Sequence, residues 1–185
     1  MLAIGIGVGV LLLIIIVMYN GLVNKKNQVE NSFSTIDAML KKRYDLIPNL
    51  VNTVKAYMKH EKDTLTEITE LRTRAISGEI SDSEKIELDN KIAGKVGGIM
   101  VAVENYPDLK ANTNFLQLQG AWTEAEEQIS AARRAYNSTV TDYNNAIQMI
   151  PTNILASMMN YKKKDWFEIP DTERKNISAK DMFNA

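Results

Sequence analysis

Residues 115–150 read FLQLQGAWTEAEEQISAARRAYNSTVTDYNNAIQMI, and their spacing decides the fold. Apolar or small side chains recur at Phe115, Leu118, Trp122, Ala125, Ile129, Ala132, Tyr136, Val140, Tyr143, Ile147 and Ile150. The steps are threes and fours, with a single four-four step across Tyr136. That period marks one face of an α-helix close to a heptad seam, and the four-four step is a small stutter in it. No proline falls between Pro107 and Pro151, so one helix of about 55–60 Å is predicted from the rise per residue. A helix with so narrow an apolar stripe needs facing helices to bury it.

The same period extends upstream. Leu22, Val29, Phe33, Ile36 and Leu40 share a face. Lys41-Lys42-Arg43 suits a helix C-terminus, and Asp45 suits an N-cap with Pro48 in the turn that follows. A helix break is therefore predicted near residue 44. The next helix carries Ile47, Val51, Val54, Met58, Leu65, Ile68 and Ala75, widened by Leu50, Tyr57 and Leu71, and ends at Gly78. Ser81-Asp82-Ser83-Glu84 caps a third, with Leu88, Ile92, Val96, Ile99 and Val103 inside. Gly94, Gly97 and Gly98 within it either permit close packing or weaken the helix, by about 1 kcal/mol each relative to alanine. Pro107 forces the next break. The predicted class is all-α: an elongated antiparallel bundle of about four long helices.

The N-terminus is of another kind. Residues 1–18, MLAIGIGVGVLLLIIIVM, are apolar throughout, and the first charged side chain is Lys25. About 20 such residues span a bilayer core as a helix. Nothing basic precedes the run, and Tyr19-Asn20-Gly21-Leu22-Val23 makes a poor cleavage site, so an uncleaved single-pass anchor is expected rather than a signal peptide. Lys25 and Lys26 favour a cytoplasmic body. Gly5 and Gly9 form a G-x-x-x-G pair, which is a helix-packing motif or merely the glycine common in membrane helices. The expected division is an anchor at 1–19, a bundle at 20–160 and a mixed-charge tail at 161–185 that Trp166 and Phe167 pin to the body.

Little in the chain suggests a reaction. With 22 basic and 23 acidic residues the net charge is −1, without the basic footprint of a nucleic-acid binder. No cysteine and one histidine argue against transition-metal chemistry, so no metal or cofactor is expected. His60-Glu61 begins like a zinc-protease motif, but Thr64 stands where the second histidine belongs. Glu61, Glu67, Glu70, Glu124, Glu126 and Glu127 read as solvated faces or ion pairs with Arg72, Arg74, Arg133 and Arg134. More distinctive is a set of Tyr, Asn and Arg. Tyr136-Asn137 and Tyr143-Asn144 repeat seven residues apart, and Asn49, Asn52, Asn112, Asn114 and Asn153 lie near predicted helix ends. These amides either cap helices and fix register or line a polar groove for a peptide or headgroup.

Several strings stand together: Tyr19-Asn20-Gly21-Leu22-Val23, then Lys42-Arg43-Tyr44-Asp45-Leu46-Ile47-Pro48-Asn49-Leu50-Val51 and His60-Glu61. Further on come Tyr106-Pro107-Asp108-Leu109-Lys110-Ala111-Asn112 with Phe115-Leu116, then Ala132-Arg133-Arg134-Ala135-Tyr136-Asn137, Tyr143-Asn144 and Pro151-Thr152-Asn153. In these strings the chain resembles the LemA family of bacterial membrane-anchored helical proteins. The resemblance runs from the anchor to about residue 160. Phe33 and Ile150 depart from it conservatively. It implies a single-pass protein with a helical body and no catalytic residues to carry over. By analogy with LemA-type domains in proteins that shape bacterial organelle membranes, it also implies a scaffold.

The expected function is that of a membrane-tethered scaffold acting through protein partners and by self-assembly into a homo-oligomer. The alternative is an enzyme or accessory factor working on a membrane-associated substrate through a polar cluster. No catalytic residue is expected; the candidate polar cluster, for helix register or for a partner, is Arg43, Tyr44, Asp45, Asn49, Asn112, Asn114, Arg133, Tyr136, Asn137, Tyr143 and Asn144. Direct lipid binding through Lys25-Lys26 and Lys162-Lys163-Lys164 ranks third, because three lysines fall short of the usual cluster of about four to eight.

Overall fold

The computed structural model describes residues 1–78 and 80–167. Six α-helices occur among them: α1 (Leu2–Lys55), α2 (Lys62–Ala75), α3 (Asp82–Ala102), α4 (Pro107–Lys110), α5 (Thr113–Gln148) and α6 (Thr152–Met158). Short 3₁₀ turns cover Lys59–Glu61 and Val103–Asn105, and no strand occurs among the described residues. Four of the helices are long, with 54, 14, 21 and 36 residues in α1, α2, α3 and α5. All-α architecture follows as the periodicity requires.

The break expected near residue 44 is absent. α1 runs through it to Lys55 with Pro48 inside. Pro48 has no N–H for the carbonyl of Tyr44 four residues back. Arg72 of α2 supplies the missing donor, its Nε lying 2.8 Å from that oxygen. A long-range hydrogen bond thus replaces the local one, and the helix survives its proline. It stops only at Lys55, where the N–H groups of Tyr57 and Met58 both turn back to the carbonyl of Val54.

The described chain divides into two compact units. One is built from Met1–Met39 and Gln128–Trp166, the other from Leu40–Glu127 with Phe167. In the first, Leu22, Val29 and Ile36 of α1 are buried, as are Ile129, Tyr136, Val140, Tyr143 and Ile147 of α5. Phe33 meets Tyr136 edge-on at 5.7 Å, Ser32 bonds Thr139 at 2.8 Å, and Lys25 pairs with Asp142 at 2.8 Å, so the two helices run antiparallel. Residues 2–17 of α1 are exposed along their whole length, an apolar helix with no other described residue packed on it. This segment is a candidate membrane span.

The second unit buries Leu40, Ile47, Leu50 and Val54 of α1, Leu65 and Ile68 of α2, the whole expected α3 stripe from Leu88 to Val103, and Phe115 and Trp122 of α5. α2 and α3 form an antiparallel hairpin, tied by Lys95–Glu67 at 2.6 Å and by Arg74–Glu84. Gly78 takes φ +74° in the turn, a conformation that strains any residue with a Cβ. The Ser81 hydroxyl accepts from the N–H of Glu84 at 3.2 Å, as the capping motif predicted. Gly94, Gly97 and Gly98 are exposed with open space around them, so close packing is not their reason. At the far end of the seam, α5 stops at Gln148, and Ile150 is 84% exposed rather than in the core. Helix formation ends two residues before the seam does.

Candidate functional site

The eleven candidate polar residues fall into the two units separately. In the second unit, Arg43 of α1 is 2% exposed and pairs with Asp89 of α3, which is fully buried. The Tyr44 hydroxyl donates to the same Asp89 oxygen at 3.3 Å. On its other side the Arg43 guanidinium sits 5.3 Å over the Trp122 ring and 3.8 Å from Glu126, which also accepts from the Trp122 indole N–H at 2.9 Å. Two carboxylates and an aromatic face thus surround one permanently charged cation. Asp89 has no exposed surface, so no substrate reaches either of its oxygens while the unit is closed.

Asp89 was not among the candidates from sequence. A signal for it existed: Asp89, Ile92, Val96, Ile99 and Val103 continue one helical face in steps of three and four. An acid in a core register requires a buried cation opposite it, and Arg43, also on an apolar face, is that cation. Asp45 faces outward and lies 3.7 Å from Arg72. Asn112 caps α5, accepting from the N–H groups of Asn114 and Phe115 at 2.9 and 3.2 Å, and its amide donates to the Tyr57 hydroxyl at 3.1 Å.

Two grooves open on this unit. The larger, of about 920 Å³, follows one face of α2 beside the end of α1. Val51, Met58 and Leu65 give it an apolar floor. Lys55, Lys59, Lys62 and Arg74 stand around it against a single acid, Glu70. The smaller, of about 450 Å³, brings together Asn49, Asn52, Thr53, Asn114 and Gln117 over Leu118 and Ala121. Its polar groups are uncharged, able to donate and to accept.

In the first unit the polar residues of α5 grip the segment after α6. The Tyr143 hydroxyl donates to the Lys162 carbonyl at 3.0 Å, and the Tyr136 hydroxyl to the Asp165 carbonyl at 3.2 Å. Asn144, 3% exposed, both donates to the Lys164 carbonyl at 2.8 Å and accepts from its N–H at 2.9 Å. Trp166 donates to the Thr141 hydroxyl at 3.0 Å, and Phe167, which belongs to the second unit, is buried. The tail beyond Phe167 lies outside the described residues. Burial, then the nearby Tyr161 and Glu30, raise the Tyr143 hydroxyl above its ordinary pKa. Arg133 is buried and Asn137 half-buried on the same helix. Gly5 and Gly9 are exposed within the apolar run. Of the acids on these faces, Glu67 pairs with Lys95 and Glu126 with Arg43, while Arg74 pairs with Glu84. Among the described residues no three His, Cys, Asp or Glu side chains converge as a metal site would require.

A family model described as the LemA family matches residues 32–180. The chain belongs to the LemA family. Among LemA relatives, Protein LemA of Metamycoplasma hominis is 27% identical over 165 residues, covering 89% of this chain and 75% of that one. Magnetosome protein MamQ 2 of Paramagnetospirillum magneticum is 23% identical across 81% of this chain, which spans 64% of that relative's length. Magnetosome protein MamQ of Magnetospirillum gryphiswaldense is 20% identical across 90% of this chain. LemA membership and the exposed apolar helix fit a membrane-associated protein.

Proposed function

We propose that this LemA-family chain is a single-pass, membrane-tethered adaptor that holds a protein partner by an acidic amphipathic segment. The groove along α2 carries the reading. Its apolar floor offers burial to one face of a helix, and Lys55, Lys59 and Lys62, with Arg74 already paired to Glu84, stand against one lining acid and favour a partner rich in Asp and Glu. The apolar run of α1 supplies the tether, uncleaved, with Lys25 and Lys26 favouring a cytoplasmic body. Gly5 and Gly9 on the exposed run favour self-association within the membrane. The MamQ relatives, named as magnetosome proteins rather than for a reaction, support this reading.

The test is a photo-crosslinking side chain at Thr69, which lines the groove, in the full chain in intact cells. The expected adduct maps to an acidic amphipathic stretch of one protein and disappears in Lys59→Glu/Lys62→Glu, while that variant melts as the parent does. No protein adduct, or one indifferent to charge reversal, rejects the adaptor reading. A second reading rests on the smaller groove, whose amides suit a neutral polar ligand on a membrane-associated substrate. Asn49→Ala/Asn114→Ala losing function at unchanged melting temperature would favour it; no loss would remove it.

A further inference from the structure

We propose that the α5–α6 corner lies in the headgroup layer of the same bilayer that holds the N-terminal run, forming a second, interfacial membrane contact. The proposal rests on that run being an anchor. Lys25 pairs with Asp142 and Ser32 with Thr139, on helices that run antiparallel. One heptad beyond Lys25 and Asp142, Met18 and Met149 come level, and Met18 closes the apolar run. The corner therefore falls where the hydrocarbon-compatible part of α1 ends.

What the corner exposes suits that depth. Met149, Ile150, Ile154 and Met158 are 62%, 84%, 62% and 76% exposed. Ile154 and Met158 lie four residues apart on one face of α6, Ala156 is buried on another side, and Ile150 stands exposed in the turn just before the helix. Large apolar side chains gathered at one corner mark a contact surface rather than chance exposure. Tyr19, 49% exposed at the same level, is of the type enriched at membrane interfaces.

Charge selects lipid as the occupant. The fold brings two lysine runs from opposite ends of the sequence into one band. The Lys26 ammonium lies 5.9 Å over the Tyr161 ring, Tyr161 packs on Tyr143 at 6.0 Å, and the Tyr143 hydroxyl holds the Lys162 backbone. The run Lys25-Lys26 and the run Lys162-Lys163-Lys164 thus lie close together, with Lys25 paired to Asp142, Lys26 to Glu30, and Asp165 following the second run. Neither run alone reaches the usual cluster of about four to eight basic residues that binds anionic lipid; folded together they do. The band begins about 10 Å from the end of the apolar run, within the reach of surface electrostatics. An apolar stripe backed by lysines is the composition of elements that lie in the membrane plane.

Because the chain has no cysteine, single labels are clean. Full-length chain carrying an environment-sensitive dye at Leu12→Cys, Ile154→Cys, Met158→Cys or Ser138→Cys is reconstituted in phosphatidylcholine vesicles with or without phosphatidylglycerol. The Leu12 label should be quenched by lipids brominated deep in the chain, the 154 and 158 labels by lipids brominated near the headgroup, and the Ser138 label only by aqueous iodide. Omitting phosphatidylglycerol, or Lys162→Gln/Lys163→Gln/Lys164→Gln, should cut quenching at 154 about twofold and leave Leu12 unchanged. A quenched Leu12 with 154 and 158 as iodide-accessible as Ser138 overturns the second contact and keeps the anchor. Labels at 154 and 158 shielded from both quenchers also overturn it, since protein then covers the corner. An unquenched Leu12 rejects the anchor and the second contact together.

Discussion

The two units solve one problem, holding polar side chains inside an apolar helix packing, with different chemistry. The second unit buries a charge: Arg43 against Asp89, with Tyr44, Trp122 and Glu126 around it, joining α1, α3 and α5. The first unit also buries a charge, Arg133, but its bonds to the segment after α6 come from neutral groups: Tyr136, Tyr143 and Asn144 of α5 bond to the backbone of residues 162–165. A buried ion pair is costly to break but adds little over a well-packed apolar replacement, because desolvation cancels much of its attraction. A neutral clamp costs little to bury and ties down a segment that has no helix of its own. The charged cluster therefore acts chiefly on which helices meet, and the neutral one on where an irregular segment lies.

The sharpest way to break this contrast is Asp89→Leu. It removes the buried partner of Arg43 and leaves only the half-exposed Glu126 at 3.8 Å, and a loss of about 3–5 kcal/mol is expected in chemical denaturation. Arg43→Met/Asp89→Leu should recover most of it; a double variant as unstable as the single would mean that the pair contributes net stability. Next in size is Asn144→Ala, which removes both bonds to Lys164 and should cost about 1–3 kcal/mol. Hydrogen exchange should quicken at the Lys164 amide while α3 stays protected, and unchanged exchange there would show that the clamp does not hold the segment.

Smallest is an alkaline effect at Tyr143. Its pKa is raised in the folded state, chiefly by burial, so its contribution is intact below about pH 10, the ordinary tyrosine value, and fades as pH rises through the higher folded value. Tyr143→Phe should remove that alkaline loss of stability without altering the acid side of the profile. An unchanged alkaline limb would assign the loss to other groups.

Much of the fold was legible because helical periodicity is local. The α3 stripe and most of the α5 seam are buried where their spacing placed them, and the Ser81 cap and the Pro107 break stand as read. The misreading at residue 44 has the opposite cause. Pro48 is a local breaker, and only Arg72, 28 residues away from Tyr44, satisfies the carbonyl that it leaves open. Asp89 was hidden for a related reason: its partner lies 46 residues away on another helix.

The sequence by itself determined an all-helical chain with an apolar N-terminal run, since both follow from short-range spacing and from the hydrophobicity of consecutive residues. Only the tertiary structure decided which polar residues meet. It paired Arg43 with Asp89, closed Asn144 on Lys164, gathered five lysines from two distant runs, and left Ile150, Ile154 and Met158 exposed at the corner. A side chain's neighbours across a helix interface depend on the register of the helices, and register is a property of the whole packing, not of any one stretch.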